Sequence, residues 1–305
     1  MNKVNVSLIQ LCSDNDKKAN LQKAQNLIEQ ALSKLIENDP DSLKIPHLIC
    51  LPEVFNFRST NQEENYLAAE SIPDGETFAW AAEIAKNHNI WLIAGSILEN
   101  PESFLSSAAQ VSKDTTDLEA SSEPSIPEAF NEVISNKPFN TSFALNPNGE
   151  LIAKYRKINL FQLRGGEKNP ELCEPLYRSA GLEKVYFDTP FGRIGLAICF
   201  DLRFPEIFSY YRKQNCDLIV LPSAFTYITG KDHWEILCRA RAIENQVFLI
   251  APNQSTNSKC WGQSMIVDPW GEILANLNQE SEGFITNQIN IEEVKKTREK
   301  LPISR

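Results

Sequence analysis

The sequence predicts an α/β fold in which helices are layered on sheets. Short apolar runs typical of buried strands alternate with longer segments whose apolar residues recur at helical spacing. This alternation continues along most of the 305 residues, of which 42% are hydrophobic, so the chain can bury a large core. No internal repeat is evident. Strands and helices in this order are typical of α/β layers.

The first half of the chain begins with a strand, a helix and another strand. Residues 1–10 alternate like a strand, and residues 16–36 carry apolar side chains at helical spacing, so this helix is expected to cover one face of a sheet. Residues 48–51 form the next predicted strand, followed by a helix at 76–88 and a strand at 90–97. The apolar positions of the first helix are Leu21, Leu27, Ile28, Ala31, Leu32 and Leu35.

The second half continues the alternation. A helix is predicted at residues 232–245, and the turn residues 222–225 precede it. A tight turn and a helix are expected directly after residue 198. Apolar runs predict strands at 141–145, 151–157, 193–198, 216–221 and 247–251.

Composition and charge limit the classes of partner. A net charge of −10 and a pI of about 5.0 lack the basic footprint of a nucleic-acid-binding protein. Seven unclustered cysteines and three scattered histidines predict neither a disulfide framework nor a zinc site. The N-terminus reads as a strand without a long apolar leader, and no run of 18 apolar residues occurs, so we expect a cytoplasmic protein without a membrane partner.

Cys199 ends a predicted buried strand and precedes a predicted turn. A thiol at such a strand end can face a cleft, and the first N–H group of the turn can face an oxyanion. The position therefore suits a nucleophile, although free cysteine is also a common small hydrophobic core residue.

Two other predicted strands end in charged residues. Glu53 follows residues 48–51, and Lys157 ends the run 151–157. Each charge alone is more typical of a solvated surface position. In an α/β sheet, however, groups at the carboxyl ends of strands can converge, so a thiol, an acid and a cation could share one site.

At these positions the chain resembles the nitrilase superfamily of carbon–nitrogen hydrolases. The matching segments are residues 51–55 (LPEVF), 154–157 (KYRK) and 199–206 (CFDLRFPE), in the family order. The resemblance implies an α-β-β-α sandwich and a single domain over residues 1–305. It also implies Glu53 as general base, Lys157 as oxyanion stabiliser and Cys199 as nucleophile. Glu174, in the segment 174–181, is implied as the residue that orients Lys157.

These roles imply an amidase reaction that needs no metal or organic cofactor. Glu53 would take the thiol proton while Cys199 attacks the amide carbon, and the Lys157 ammonium and the Phe200 N–H would hold the oxyanion. The amine would leave behind a thioester, which water then hydrolyses.

The residues after Cys199 indicate the substrate class. Nitrilases proper in this superfamily typically carry Trp-Glu there, whereas Phe200-Asp201 favours an amidase. The surrounding segments resemble the Nit branch, which implies a small anionic amide, with deaminated glutathione as the first choice. The alternatives are an omega-amidase acting on 2-oxoglutaramate, an N-carbamoyl amide hydrolase and a catalytically silent member that binds a partner. A homodimer or larger homo-oligomer is expected from the resemblance alone.

Phe225 and Thr226 are expected to line the substrate pocket. For Arg203, Arg239 and Arg241, pairing with nearby carboxylates is favoured over substrate contact. The carboxylates considered are Glu206, Glu235 and Glu244.

Some segments depart from the family pattern. Asn159, Gln162 and Gln263 stand where the branch commonly has other residues, which leaves the pocket shape open. Residues 101–137 are rich in Ser, Thr, Glu, Asp and Pro and are predicted to form a surface insertion. This insertion could be a tolerated loop, a lid or an assembly contact.

Overall fold

The computed structural model describes residues 2–100, 137–163, 172–278 and 281–303. Apart from Lys137, the predicted insertion at 101–137 lies outside the described residues. None of the helices in these ranges is long and apolar enough to cross a membrane. The described helices are α1 Lys17–Asn38, α2 Gln62–Leu67, α3 Glu76–His88, α4 Pro205–Lys213, α5 Tyr227–Asn245 and α6 Glu292–Lys300.

Within the described residues, thirteen strands form one seven-stranded and one six-stranded sheet. The first sheet has the order β13-β1-β2-β3-β5-β4, with β6 paired to β5, and the second has the order β12-β11-β10-β9-β8-β7. The strands are β1 Lys3–Gln10, β2 His47–Cys50, β3 Trp91–Ile93, β4 Ile97–Glu99, β5 Phe139–Leu145, β6 Leu151–Arg156, β7 Tyr186–Thr189, β8 Gly192–Leu196, β9 Leu218–Val220, β10 Phe248–Ala251, β11 Met265–Val267, β12 Ile273–Asn276 and β13 Gly283–Asn290.

Each sheet contains three neighbouring parallel strands. β1, β2 and β3 are parallel in the first sheet, and β8, β9 and β10 are parallel in the second. The remaining pairings are antiparallel. Because β6 is antiparallel to β5, which is antiparallel to β3, β6 points in the same direction as β2 and β3.

The core forms two layers on the two faces of the first sheet. On β1, Val6 and Leu8 pack into a cluster shared with the second sheet and with α4 and α5. The next side chain, Ile9, packs on the opposite face in a cluster that includes residues of α1 and α3. Successive strand side chains point to opposite faces, so β1 is buried on both sides. This arrangement confirms the expected α-β-β-α sandwich.

Local signals explain several element ends. The Asp16 side chain accepts a hydrogen bond from the Ala19 N–H at 3.0 Å, which caps the N-terminus of α1. Asn89, with φ at +54°, ends α3, and Pro205 occupies the first turn of α4. The helix predicted at 76–88 is confirmed, and the one predicted at 16–36 ends two residues later at Asn38.

Two predicted elements differ from the structure by more than two residues or in kind. The strand expected at 90–97 is divided into β3 and β4, because Gly95 has φ at +42° and turns the chain between them. The helix expected at 232–245 begins five residues earlier, at Tyr227. The early start lies directly after the turn that lines the pocket.

Candidate active site

Three strand ends meet in one pocket. Glu53 follows β2, Lys157 directly follows β6, and Cys199 begins a short 3₁₀ turn, Cys199–Arg203, after β8. β2 and β6 belong to the first sheet and β8 belongs to the second, so the pocket draws on both sheets. Glu174 also lines it. The structure thus brings together the four side chains that the sequence analysis expected at one site.

The Glu53 carboxylate is buried and accepts hydrogen bonds from four groups. Its Oε1 accepts from Asn140 Nδ2 at 2.7 Å and from Lys157 Nζ at 2.9 Å, while its Oε2 accepts from the Ala224 N–H at 2.7 Å. The Cys199 thiol is the fourth donor. Burial alone would raise the pKa of Glu53, but the Lys157 charge and these hydrogen bonds bring it below its ordinary value. Glu53 is therefore held as a carboxylate.

The loop that carries Glu53 is fixed by the turn between β3 and β4. A Cβ atom on Gly95 would lie 1.9 Å from the Pro52 carbonyl oxygen, so only glycine permits this close approach. The neighbouring Ser96 Oγ accepts a hydrogen bond from the Val54 N–H at 3.0 Å. The division of the predicted strand at Gly95 thus helps to position the acid.

Lys157 is 1% exposed and lies between two carboxylates. Its Nζ is 2.9 Å from Glu53 Oε1 and 2.9 Å from Glu174 Oε2. Glu174 is held in turn by the Phe161 N–H, which donates to Oε2 at 2.6 Å. Burial alone would lower the pKa of Lys157, but the charges of Glu174 and Glu53 raise it well above its ordinary value. The lysine is therefore an ammonium group.

Cys199 is buried at the start of its turn, with φ at +45°. Its N–H donates to the Pro222 carbonyl at 2.9 Å, and its thiol hydrogen-bonds to the Glu53 carboxylate. Burial, together with the negative charge of Glu53, raises the pKa of Cys199 well above its ordinary value, which the Lys157 charge offsets only in part. The resting sulfur is therefore a protonated thiol beside a carboxylate.

The next residue, Phe200, lines the pocket, and its ring packs against Phe161 at 5.2 Å between centroids. Among the described residues, no protein acceptor engages the Phe200 N–H. The Lys157 ammonium and this N–H are two donors at the same pocket as the thiol. Such donors can stabilise an oxygen that becomes negative.

Sequence reasoning missed the role of Asp201, which is fully buried. Its carboxylate accepts hydrogen bonds from Tyr155 Oη at 2.7 Å, the Ile198 N–H at 2.9 Å, the Asn159 N–H at 3.0 Å and Asn159 Nδ2 at 2.9 Å. Burial raises the pKa of Asp201, although the hydrogen bonds from these donors act to lower it. The side chain ties the turn of Cys199 to the strand and loop on either side of Lys157.

Sequence reasoning also missed Asn140 and Ala224 as partners of Glu53. The one available signal for Asn140 was its place directly before the predicted strand at 141–145, and for Ala224 its place in the predicted turn at 222–225. The three departures from the family pattern do not line the pocket. Asn159 donates hydrogen bonds to Asp201, and Gln162 forms an isolated antiparallel β-bridge with Cys173. The Gln263 carbonyl accepts a hydrogen bond from Trp234 Nε1 at 2.9 Å.

Phe225 and Thr226 both line the pocket, as expected. Phe225 is buried against Trp234, with ring centroids 5.2 Å apart. Thr226 Oγ1 lies 2.9 Å from Thr229 Oγ1, in the first turn of α5. Across the described ranges, His, Cys, Asp and Glu side chains form no group of three that could hold a metal ion.

The structure corrects one expectation about the arginines. Arg239 pairs with Glu235 at 3.4 Å and Arg241 pairs with Glu244 at 2.9 Å, as the helical spacing predicted. Arg203 instead lines the pocket. In the described part of the chain it has no carboxylate partner.

The surroundings of Arg203 are aromatic rather than acidic. Its guanidinium stacks over Phe225 at 5.3 Å and over Phe200 at 5.8 Å, and its Nη2 lies 3.2 Å from His233 Nδ1. The expected pairing is wrong for Arg203 because its turn aims it at the pocket, while Glu206 is exposed on α4.

The chain is similar over nearly all of its length to known carbon–nitrogen hydrolases. The family described as carbon–nitrogen hydrolase matches residues 5–299. The nitrilase and fragile histidine triad fusion protein NitFhit of Caenorhabditis elegans is 34% identical, and the alignment covers 98% of this chain but 59% of that longer protein.

Two further relatives match over almost their full lengths. Deaminated glutathione amidase of Dictyostelium discoideum is 31% identical over 99% of this chain and 94% of its own. Omega-amidase NIT2 of Xenopus tropicalis is 34% identical over 100% of this chain and 95% of its own. The crystal structure of Saccharomyces cerevisiae Nit3, a member of branch 10 of the nitrilase superfamily, has a TM-score of 0.76 at 28% identity, covering 100% of this chain and 96% of Nit3.

Proposed function

The chain belongs to the carbon–nitrogen hydrolase family, and on that premise we propose that it hydrolyses the amide bond of deaminated glutathione through a thioester on Cys199. It is a nitrilase-superfamily amidase, a hydrolase acting on carbon–nitrogen bonds. One observation carries the proposed mechanism. The Cys199 thiol shares the buried Glu53 carboxylate with the Lys157 ammonium, beside a Phe200 N–H that no acceptor among the described residues engages.

In the first half-reaction, Glu53 takes the thiol proton as the Cys199 sulfur attacks the amide carbon. The low pKa of the acid and the high pKa of the thiol disfavour a resting thiolate, so proton transfer accompanies attack. The carbonyl oxygen becomes an oxyanion held by Lys157 Nζ and the Phe200 N–H. Glu53 then donates the proton to the amide nitrogen, the C–N bond breaks, and the amine leaves a thioester on Cys199.

In the second half-reaction, Glu53 removes a proton from water, which attacks the thioester carbon. The same two donors hold the second oxyanion. The C–S bond breaks, the sulfur recovers a proton from Glu53, and the acid product leaves. Glu174 acts through Lys157, because its carboxylate fixes the ammonium and keeps it charged.

Deaminated glutathione and 2-oxoglutaramate share the same 2-oxoglutaryl acyl group and differ in the leaving amine. The 2-oxo acid carboxylate of that group needs a cation near the reacting sulfur. Arg203, which lines the pocket and pairs with no carboxylate of the described residues, suits this carboxylate, with Phe225 and Thr226 as the neighbouring wall. The similarity to an omega-amidase keeps 2-oxoglutaramate as the second candidate.

A panel of five compounds tests the proposal with the wild type and with Cys199→Ala. The release of 2-oxoglutarate is followed for deaminated glutathione and 2-oxoglutaramate, and the release of ammonia for an aliphatic amide, a nitrile and an N-carbamoyl amine. We expect the highest kcat/KM on deaminated glutathione, lost in the variant. Turnover of 2-oxoglutaramate alone would identify an omega-amidase. Preference for the carbamoyl compound, or inactivity on all five, would contradict the proposal.

Assembly of two or more copies and a cytoplasmic location stay predictions. The outer face of α5 supports assembly, because Ile228 and Ile236 are each 68% exposed and Ile243 lies on the same side. Sedimentation of the wild type beside Ile236→Glu tests this face. A wild type that sediments as a monomer would contradict the expectation. We also propose one catalytic domain, supported by the family match over residues 5–299.

A further inference from the structure

Among the residues that the structure describes, three arginines line the pocket in addition to Lys157, and their guanidinium groups are held in different ways. Arg58 is engaged by the protein, since its Nη1 donates to the Ser258 carbonyl at 2.7 Å and to Cys260 Sγ at 3.2 Å. Arg203 stacks on aromatic rings beside the nucleophile turn. The third, Arg178, follows Glu174 by four residues and also lines the pocket.

Arg178 is half-buried and has little to balance its charge. Within the described residues, its hydrogen bonding is limited to the Tyr177 carbonyl, at 2.8 Å from Nη1. Glu174 lies nearby, but its carboxylate is taken by Lys157 and by the Phe161 N–H. Burial lowers the pKa of Arg178, and the charge of Glu174 opposes this only in part.

A partly buried cation without an anion is unfavourable unless a ligand supplies one. Guanidinium groups bind carboxylates through two parallel hydrogen bonds, and most of the N–H donors of Arg178 are unused within the described residues. The position of Arg178 on the pocket wall makes these donors available to a bound substrate.

Arg203 and Arg178, which pair with no carboxylate of the described residues, come from different segments around the nucleophile. Arg203 ends the turn that Cys199 begins, whereas Arg178 follows Glu174, whose carboxylate lies on the side of Lys157 away from the sulfur's turn. Arg203 therefore suits the short acyl arm of the substrate. Arg178 suits a carboxylate farther from the scissile bond, on the leaving-group side.

We propose that Arg178 binds a carboxylate in the leaving half of the substrate, so that the enzyme prefers amides with a carboxylate on each side of the scissile bond. This inference rests on the proposed amidase function. Deaminated glutathione meets the requirement, because its leaving group, cysteinylglycine, ends in a carboxylate. In 2-oxoglutaramate the leaving group is ammonia, which offers Arg178 nothing to bind.

The test compares deaminated glutathione with its C-terminal glycinamide, which differs only in lacking the leaving-group carboxylate, and with 2-oxoglutaramate. The enzymes are the wild type, Arg178→Met, Arg178→Lys and Arg239→Met. The last removes a surface guanidinium that pairs with Glu235 outside the pocket. The measured quantity is the ratio of kcat/KM between the acid and its amide, from the release of 2-oxoglutarate.

We expect the wild type to prefer the acid by about 10- to 100-fold, the range of a charge-assisted hydrogen bond. Arg178→Met should reduce this ratio to near one, Arg178→Lys should keep part of it, and Arg239→Met should leave it unchanged. Equal losses on acid and amide in Arg178→Met would assign Arg178 a structural role and overturn the inference. A wild type that hydrolyses 2-oxoglutaramate but does not distinguish deaminated glutathione from its glycinamide would also overturn the inference about Arg178. The proposed amidase activity would be unaffected by that result. Inactivity on all three compounds would instead overturn the proposed function itself.

Discussion

Replacing Lys157 by methionine should destabilise the protein as well as inactivate it. Glu53, Lys157 and Glu174 together carry one net negative charge, and the variant would leave two carboxylates without their cation. Lys157 is 1% and Glu53 is 3% exposed, and removal of one partner from a buried pair costs about 3–5 kcal/mol. The Glu174 side chain is 21% exposed, so water can reach it, and we expect the lower end of that range, about 3 kcal/mol.

The loss of stability should depend on pH. In the wild type the pKa of Glu53 is lowered, so its carboxylate contributes stability above its unfolded pKa, and that contribution is lost as pH falls through the folded value. Without Lys157, burial would raise the folded pKa of Glu53 above the unfolded one. The penalty then grows as pH rises above the unfolded value, so Lys157→Met should be closer to wild type at pH 5 than at pH 8.

Urea denaturation followed by tryptophan fluorescence at the two pH values measures this difference. Glu53→Gln combined with Lys157→Met should recover part of the loss at pH 8, because it removes the unpaired buried charge. Lys17→Met is the matched control. Lys17 lies 2.8 Å from the buried Glu70, which keeps hydrogen bonds from Thr77, so we expect a loss of about 1 kcal/mol and unchanged activity.

Lys157→Met should also lower kcat by about 100- to 1000-fold, the effect of losing one oxyanion donor. A loss of stability in Lys157→Met that equals that of Lys17→Met, or that does not change between pH 5 and pH 8, would refute the reasoning. It would mean that Lys157 does not neutralise Glu53.

Three further predictions concern the same site. Cys199→Ala should abolish 2-oxoglutarate release without lowering the thermal midpoint by more than a few degrees, whereas Cys238→Ala, which alters a buried thiol outside the pocket, should retain activity. Asp201→Asn should lower the free energy of unfolding by about 2–4 kcal/mol, because the amide cannot accept all four hydrogen bonds. The variant should reduce kcat more than it changes KM. An unchanged kcat would show that Asp201 does not position the catalytic residues. Because the pKa of Glu53 lies below its ordinary value of 4.5, kcat/KM should stay level as pH falls from 8 to about 5, and a decline that begins at pH 6 or above would contradict the ion pair with Lys157.

Much of the site could be predicted because it depends on strand ends. The apolar runs before Glu53, Lys157 and Cys199 are short and distinct, and β2 and β6 point in the same direction, which brings Glu53 and Lys157 to one edge of the first sheet. The helix-borne arginines were predictable for a similar reason. Arg239 and Arg241 pair with carboxylates four and three residues away, a spacing that a helix fixes locally.

The pocket wall was less predictable, because its geometry is set by turns. Arg203 lies at the end of a 3₁₀ turn directly before α4, so helical spacing does not apply to it, and the prediction of an acidic partner failed. Gly95 interrupts an apolar run that has every other property of one strand. Only the close approach to Pro52, some forty residues away in sequence, requires glycine there.

The alignment of Lys157 with Cys199 depends on contacts that no motif contains. The lysine belongs to the first sheet and the cysteine to the second, so their separation is set by how the two sheets pack. Asp201 joins them, because it sits in the turn of Cys199 while its carboxylate binds Tyr155 and Asn159 on either side of Lys157. Asn159, a departure from the family pattern, supplies two of those four hydrogen bonds. A residue that departs from the family pattern can therefore preserve the active site when its side chain makes the contact that links the two sheets, as Asn159 does through Asp201.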